Sequence, residues 1–323
     1  MADMRRTLKV IHFASQLCGI SLYGSFMRND GYEKPVVCRK YLLYSFIMII
    51  TISVVQCPFA IGLVMEIRIV SSATFRFNLQ ILLILSSCIF TTYLVTAFTR
   101  LTGQRNFFKI SLKLLSVGSF VNYREGTAFS NAVIALHVIL FGTYLIRYLF
   151  EFTSNCRLDL LHLFISGLVC DAVTSFAALQ FLYFVFILRR HFMLLNSSLN
   201  DVVVSTAKAE SFLPLEFRKV PDFYPERYSV ISGVRDILSR HVMLCNIWEL
   251  INSSYSLQVL VLIGSKFVYT TIFLYLLFLS VFDRSLFPFL PFDSLIPLVS
   301  VEVMQLVTVL YCSKSACLQV SII

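Results

Sequence analysis

Residues 240–282, RHVMLCNIWELINSSYSLQVLVLIGSKFVYTTIFLYLLFLSVF, constrain this chain more than any other stretch. From Ser253 onward about thirty residues carry one charge, Lys266, and Asp283 and Arg284 close the run. A helix rises 1.5 Å per residue, so about 20 apolar residues cross the hydrocarbon of a bilayer. This stretch is longer. Its first turns, with Arg240, His241 and Glu249, therefore belong to an aqueous extension of the same helix. A charge inside such a helix is expensive, so Lys266 must face protein or water rather than lipid.

The rest of the chain follows the same pattern. Of its 323 residues 58% are hydrophobic and 14% charged, against about 25% charged in soluble domains. The expected fold is all-α: one polytopic membrane bundle, undivided by any linker. The 31 Phe and 15 Tyr suit lipid-facing surfaces and interfacial belts. Nine cysteines are an odd number with no CxxC pair, and Cys57, Cys88, Cys170 and Cys245 fall in or near apolar spans, where Cys acts as a small hydrophobe. No metal site, cofactor site or disulfide framework is expected. The chain also lacks a Gly-rich phosphate loop, HExxH and GxSxG, and its histidines are dispersed, so no enzyme is expected.

Taken in order, residues 1–40 place Arg5, Arg6 and Lys9 before an apolar segment that His12, Ser15 and Gln16 interrupt. That reads as a cytosolic or interfacial amphipathic segment rather than a signal peptide. Residues 41–323 form the transmembrane domain. Spans are expected at 41–65, with Pro58 as a kink, at 74–99, at 128–150 and at 158–188, which Arg189, Arg190 and His191 end. Residues 100–125 interleave Arg100, Arg105, Lys109 and Lys113 with Phe107, Phe108, Ile110 and Leu114, as in a basic helix lying along a membrane surface. In the connection 189–240, Phe192, Leu195, Leu199 and Val202 continue a helical period, Pro214, Pro221 and Pro225 mark a loop, and Val230, Val234 and Ile237 resume the period. Two helices thus extend past the lipid and can pack together as a stalk. The fifth span follows, and a sixth is expected at 295–312.

Charge orients the bundle. The N-terminal segment, 100–125, 189–240 and the tail after the sixth span hold seven, five, eight and one of the 27 Lys and Arg. By the positive-inside rule these parts, and both chain ends, lie in the cytosol. The net charge of +9 is thereby assigned to a membrane face, and no nucleic-acid partner is expected. Rhodopsin-like receptors have the opposite N-terminus.

The opening stretch resembles the fifth-helix region of insect gustatory receptors, part of the insect chemoreceptor superfamily. The matching residues are Arg240-His241, Leu244-Cys245, Glu249-Leu250-Ile251-Asn252, Tyr255-Ser256-Leu257-Gln258 and Tyr275, joined by Tyr311-Cys312-Ser313 at the end of the sixth span. The architecture is similar over nearly the whole chain, the sequence detail over about forty residues. The resemblance implies a seven-helix subunit of a tetrameric, ligand-gated, nonselective cation channel in the plasma membrane. It implies a small-molecule tastant bound in an outward-facing pocket among the second to sixth helices, and cytosolic extensions that join homo- or hetero-tetramers. The family's seventh helix lines the pore with a Thr-Tyr, five apolar, Gln-Phe motif. This sequence stops at Ile323, where that helix should begin. The chain is therefore expected to be a piece of a longer protein, or a short form that assembles with full-length receptors without conducting.

Asp171, Lys266 and Glu302 fall near mid-membrane on the fourth, fifth and sixth spans. The plainer reading is a structural ion pair, Lys266 with Asp171 or Glu302; the functional one is polar contact in a ligand pocket. Tyr144, Tyr148, His162 and Tyr269 complete the candidate ligand set, because pockets for small organic molecules combine aromatic walls with a few polar groups. Aromatic stripes at helical spacing also arise from packing alone. Mid-membrane charges of both signs leave a secondary transporter as the alternative class, although no inverted repeat or pair of broken helices supports it.

Overall fold

A computed structural model describes residues 8–10, 12–13, 15–16, 38–118, 135, 139, 142, 161–212, 225–282 and 292–320. The described residues form five long helices and no strand. These are α1 (Arg39–Ile69), α2 (Ala73–Gly118), α3 (Leu161–Phe212), α4 (Pro225–Phe282) and α5 (Phe292–Val320). Stretches of α1 to α4 are long and apolar enough to cross a bilayer: Arg39–Ile69, Phe75–Gly103, Ile165–Val204 and Ile231–Leu279. The third expected span, 128–150, lies outside the described residues apart from Ala135, Ile139 and Gly142, and Tyr144 and Tyr148 lie outside them too.

Pro58 sits inside α1 without ending it. After Val70 turns extended, its carbonyl accepts from the Arg76 guanidinium at 2.6 Å and 3.2 Å. That contact closes the tight connection to α2. α3 and α4, at 52 and 58 residues, carry no proline after Pro225, and both continue from membrane into extension as their periodicity predicts.

α2 corrects the sequence reading. Its 46 residues form one helix, about 69 Å long at the standard rise. It does not break near Thr99 to lie on a membrane surface. Phe107, Phe108, Ile110 and Leu114, expected to meet lipid, are at most 7% exposed. They pack on Phe181, Phe184 and Leu188 of α3 and Leu244, Ile247 and Ile251 of α4. Burial of that apolar stripe against two neighbouring helices outweighs the preference of a basic amphipathic helix for an interface. Three helices, not two, therefore build the extension.

From Ser166 to Phe192 α3 is buried on nearly every side, whereas α1 is peripheral. Only Ser45, Ile52, Gln56 and Leu63 of α1 are buried, one narrow stripe at helical spacing. Gln56 Nε2 donates to Ser166 Oγ of α3 at 2.6 Å, a polar link between apolar helices. At the N-terminus Leu8, His12 and Ser15 are buried on one face. The His12 ring lies 5.8 Å from Phe108 and 6.4 Å from Phe107, and Gln180 of α3 donates to the Ser15 hydroxyl. The described part of the N-terminal segment thus packs on protein.

Candidate functional site

α3, α4 and α5 diverge around a cleft of about 350 Å³, counted out to its open mouth. Its enclosed part has room for about one water. Leu262, Ile263, Leu306 and Val309 give it apolar walls, and Ser175, Lys266 and Gln305 give it one polar group from each helix. Lys266 is 6% exposed. It lines the cleft, and its Nζ lies 5.7 Å from the centre of the Tyr269 ring. A cation over an aromatic face gains electrostatic energy that grows as water is excluded.

Tyr269 does two things there. Its ring faces Lys266 on one side of α4 and stacks on Phe273 at 6.1 Å and 16°. Its hydroxyl donates to the Leu85 carbonyl of α2 at 3.1 Å. That bond fixes the ring, and with it the place where the ammonium rests, against a fourth helix. A satellite core of Ile81, Tyr269, Phe273, Leu276 and Val299 holds this end of α2, α4 and α5 together.

The candidate residues divide accordingly. Lys266 and Tyr269 come together in or beside the cleft. Asp171 is half-buried on α3, one turn before Ser175, and Glu302 stands on α5 one turn before Gln305. The three charged positions therefore sit on the three helices that form the cleft. The side chains of Glu302 and His162 are outside the described residues, as are Tyr144 and Tyr148.

Sequence reasoning missed Ser175 and Gln305. Their only signal was position: each follows a mid-membrane carboxylate by one helical turn. It also placed Arg100 at a lipid boundary, whereas Arg100 is 6% exposed inside the bundle. Its guanidinium donates to the Ala177 carbonyl of α3 at 3.2 Å and sits 4.1 Å from the centre of the Tyr255 ring of α4. Tyr255 is 1% exposed and packs on Phe181 and Phe184. Arg100 thus pins α2, α3 and α4 at one point, beside the cleft-lining stretch of α3 and two turns from Leu262 on α4. Among the described residues no three of His, Cys, Asp and Glu are placed to share a metal ion.

A family model described as 7tm Chemosensory receptor matches residues 8–321. No curated protein matches the chain. The match runs over all five helices, the cleft between the last three and the extension that the first part of α4 shares with α2 and α3. On that evidence, the chain belongs to the 7tm chemosensory receptor family.

Proposed function

We propose that this chemoreceptor chain is a subunit of a ligand-gated, nonselective cation channel, triggered by a small organic molecule that enters the cleft between α3, α4 and α5. The observation that carries this reading is Lys266: a buried cation in an apolar cleft, with a neutral hydrogen-bonding side chain on each opposite wall. Such a site suits a small ligand with an acceptor or anionic group beside an apolar body. Since the enclosed space is close to one water, a ligand must part the helices to enter. It then favours the parted arrangement only as far as it binds that arrangement better than the closed one.

The remaining parts of the reading follow the family and the charge distribution. The subunit crosses the plasma membrane six times within residues 41–323, with its N-terminus in the cytosol. Its tastant-sensing channel is a homo- or hetero-tetramer joined through the extension, where α2, α3 and α4 present a long packed stalk. Asp171 or Glu302 balances Lys266 in the absence of ligand.

The test is whole-cell recording of the chain, alone and with other chemoreceptor subunits, against a panel of sugars, bitter alkaloids and organic acids. Wild type should give a cation current to at least one class. Lys266→Gln should raise its half-maximal concentration about tenfold or more, the value of one charge-assisted hydrogen bond. Uptake of a ligand without ionic current, or responses unchanged by Lys266→Gln, would contradict the proposal.

A further inference from the structure

The cleft between α3, α4 and α5 changes character along its length. α3 and α4 run antiparallel, since Phe181 meets Tyr255 and Phe192 meets His241, each pair at 5.7 Å. α4 and α5 are antiparallel too: Phe273 shares one core with Val299, and Leu262 shares another with Val309. Passing from the Phe282 end of α4 toward its Pro225 end, all three walls therefore alter in the same sense. On α3 Ser175 comes before Ala178, on α4 Lys266 before Ile263 and Leu262, and on α5 Gln305 before Leu306 and Val309. Each helix gives one polar residue first and apolar residues after it. Three helices thus make a polar layer and, about 6 Å further along the axis, an apolar one.

That order selects an amphiphile. The polar layer offers an ammonium, an amide and a hydroxyl, and a carboxylate accepts from several such donors at once. The enclosed room is close to one water, so the helices part less for a small head than for a sugar ring. A polyhydroxylated ligand would also leave hydroxyls unpaired in the apolar layer. A cationic one would set its charge beside that of Lys266.

Depth separates a fatty acid from a small soluble carboxylate. Glu249 is exposed on α4, and Asp283 follows that helix. The roughly 20 residues that cross the hydrocarbon fall between these two charges. The crossing then starts between 250 and 263, and every such placement contains residues 263–269. Ile263 and Lys266 therefore lie at hydrocarbon depth wherever the edges fall, together with the α3 and α5 residues that share the cleft. Ser175, Ile263 and Leu306, one on each helix, form its half-exposed rim. Leu260 and Phe267, one turn to either side of Ile263, are exposed apolar residues. A chain longer than the apolar layer thus leaves the cleft over apolar surface.

We propose that the cleft binds a fatty acid, with its carboxylate in the polar layer on Lys266, Gln305 and Ser175 and its chain along the apolar layer. The inference rests on the cleft being the ligand site and names the class of ligand that it takes.

The test is binding of tritiated dodecanoate to the full chain in phosphatidylcholine nanodiscs, with the signal of empty discs subtracted. Binding should saturate. Lys266→Gln should raise the half-saturating concentration about tenfold or more, and the nearly isosteric Gln305→Leu should act in the same direction. Methyl dodecanoate, which lacks the charge, should compete with wild type at least about tenfold more weakly than unlabelled dodecanoate. That comparison decides even if Lys266→Gln prevents folding. Four results would overturn the proposal: no saturable binding, equal binding by wild type and Lys266→Gln, equal competition by methyl dodecanoate or dodecyltrimethylammonium, or equal competition by acetate or citrate. The last would reassign the polar layer to a soluble acid. No ionic current enters the test. A Lys266-dependent current to another tastant without dodecanoate binding would remove this inference and leave the channel reading standing; saturable, Lys266-dependent binding without any current would do the reverse.

Discussion

Arg100 and Lys266 show two ways in which this bundle keeps a cation away from lipid. Lys266 shares a cleft with neutral polar side chains and rests near Tyr269. Arg100 is held by a carbonyl and the face of Tyr255. Removing the ring while leaving the guanidinium buried should be costly. Tyr255→Leu is expected to destabilise the protein by about 2–4 kcal/mol, through a lost desolvated cation–π contact and a cavity in the core. Tyr255→Phe keeps the ring and should cost about 1 kcal/mol or less. Thermal midpoints in detergent measure both; equal losses would mean the ring does not hold Arg100. Lys266 was legible in the sequence because one charge in thirty apolar residues demands a partner. Ser175 and Gln305 were not, since single hydroxyls and amides recur throughout such helices and only the packing shows which ones converge.

At the scale of the helix, α3 and α4 were legible end to end, because their apolar period passes unbroken from membrane to extension. α2 was not. Arg100 resembles the end of a span, and Phe107 and Phe108 beside Arg105 and Lys109 resemble an interfacial helix. The same residues form the inner face of a packed extension once α3 and α4 lie alongside, and no local pattern separates the two cases. The packed geometry makes its own forecast. Leu114 is fully buried, so Leu114→Ala should cost about 2–5 kcal/mol, while Lys113→Gln, exposed on the next position, should change stability by less than about 0.5 kcal/mol. A helix lying free on the membrane would show a small effect at both, and denaturation of the purified protein distinguishes the two.

For the whole molecule, two asymmetries agree. Among the described residues Arg105, Lys109, Lys113, Arg189, Arg190, Arg235 and Arg240 gather at one end of the bundle, and at that end α2, α3 and α4 pack around a shared core. The proposed channel requires these helices to cross the membrane with the shared end of α2, α3 and α4 in the cytosol. Ser72, in the short connection between α1 and α2, and Ser116, near the end of α2, are both exposed and lie at opposite ends of one helix. With Ser72→Cys and Ser116→Cys placed singly in the chain, a membrane-impermeant maleimide applied to intact cells should label Ser72→Cys above the background of the parent chain. It should label Ser116→Cys only after permeabilisation. Labelling of Ser116→Cys on intact cells, or of both positions alike, would contradict the account.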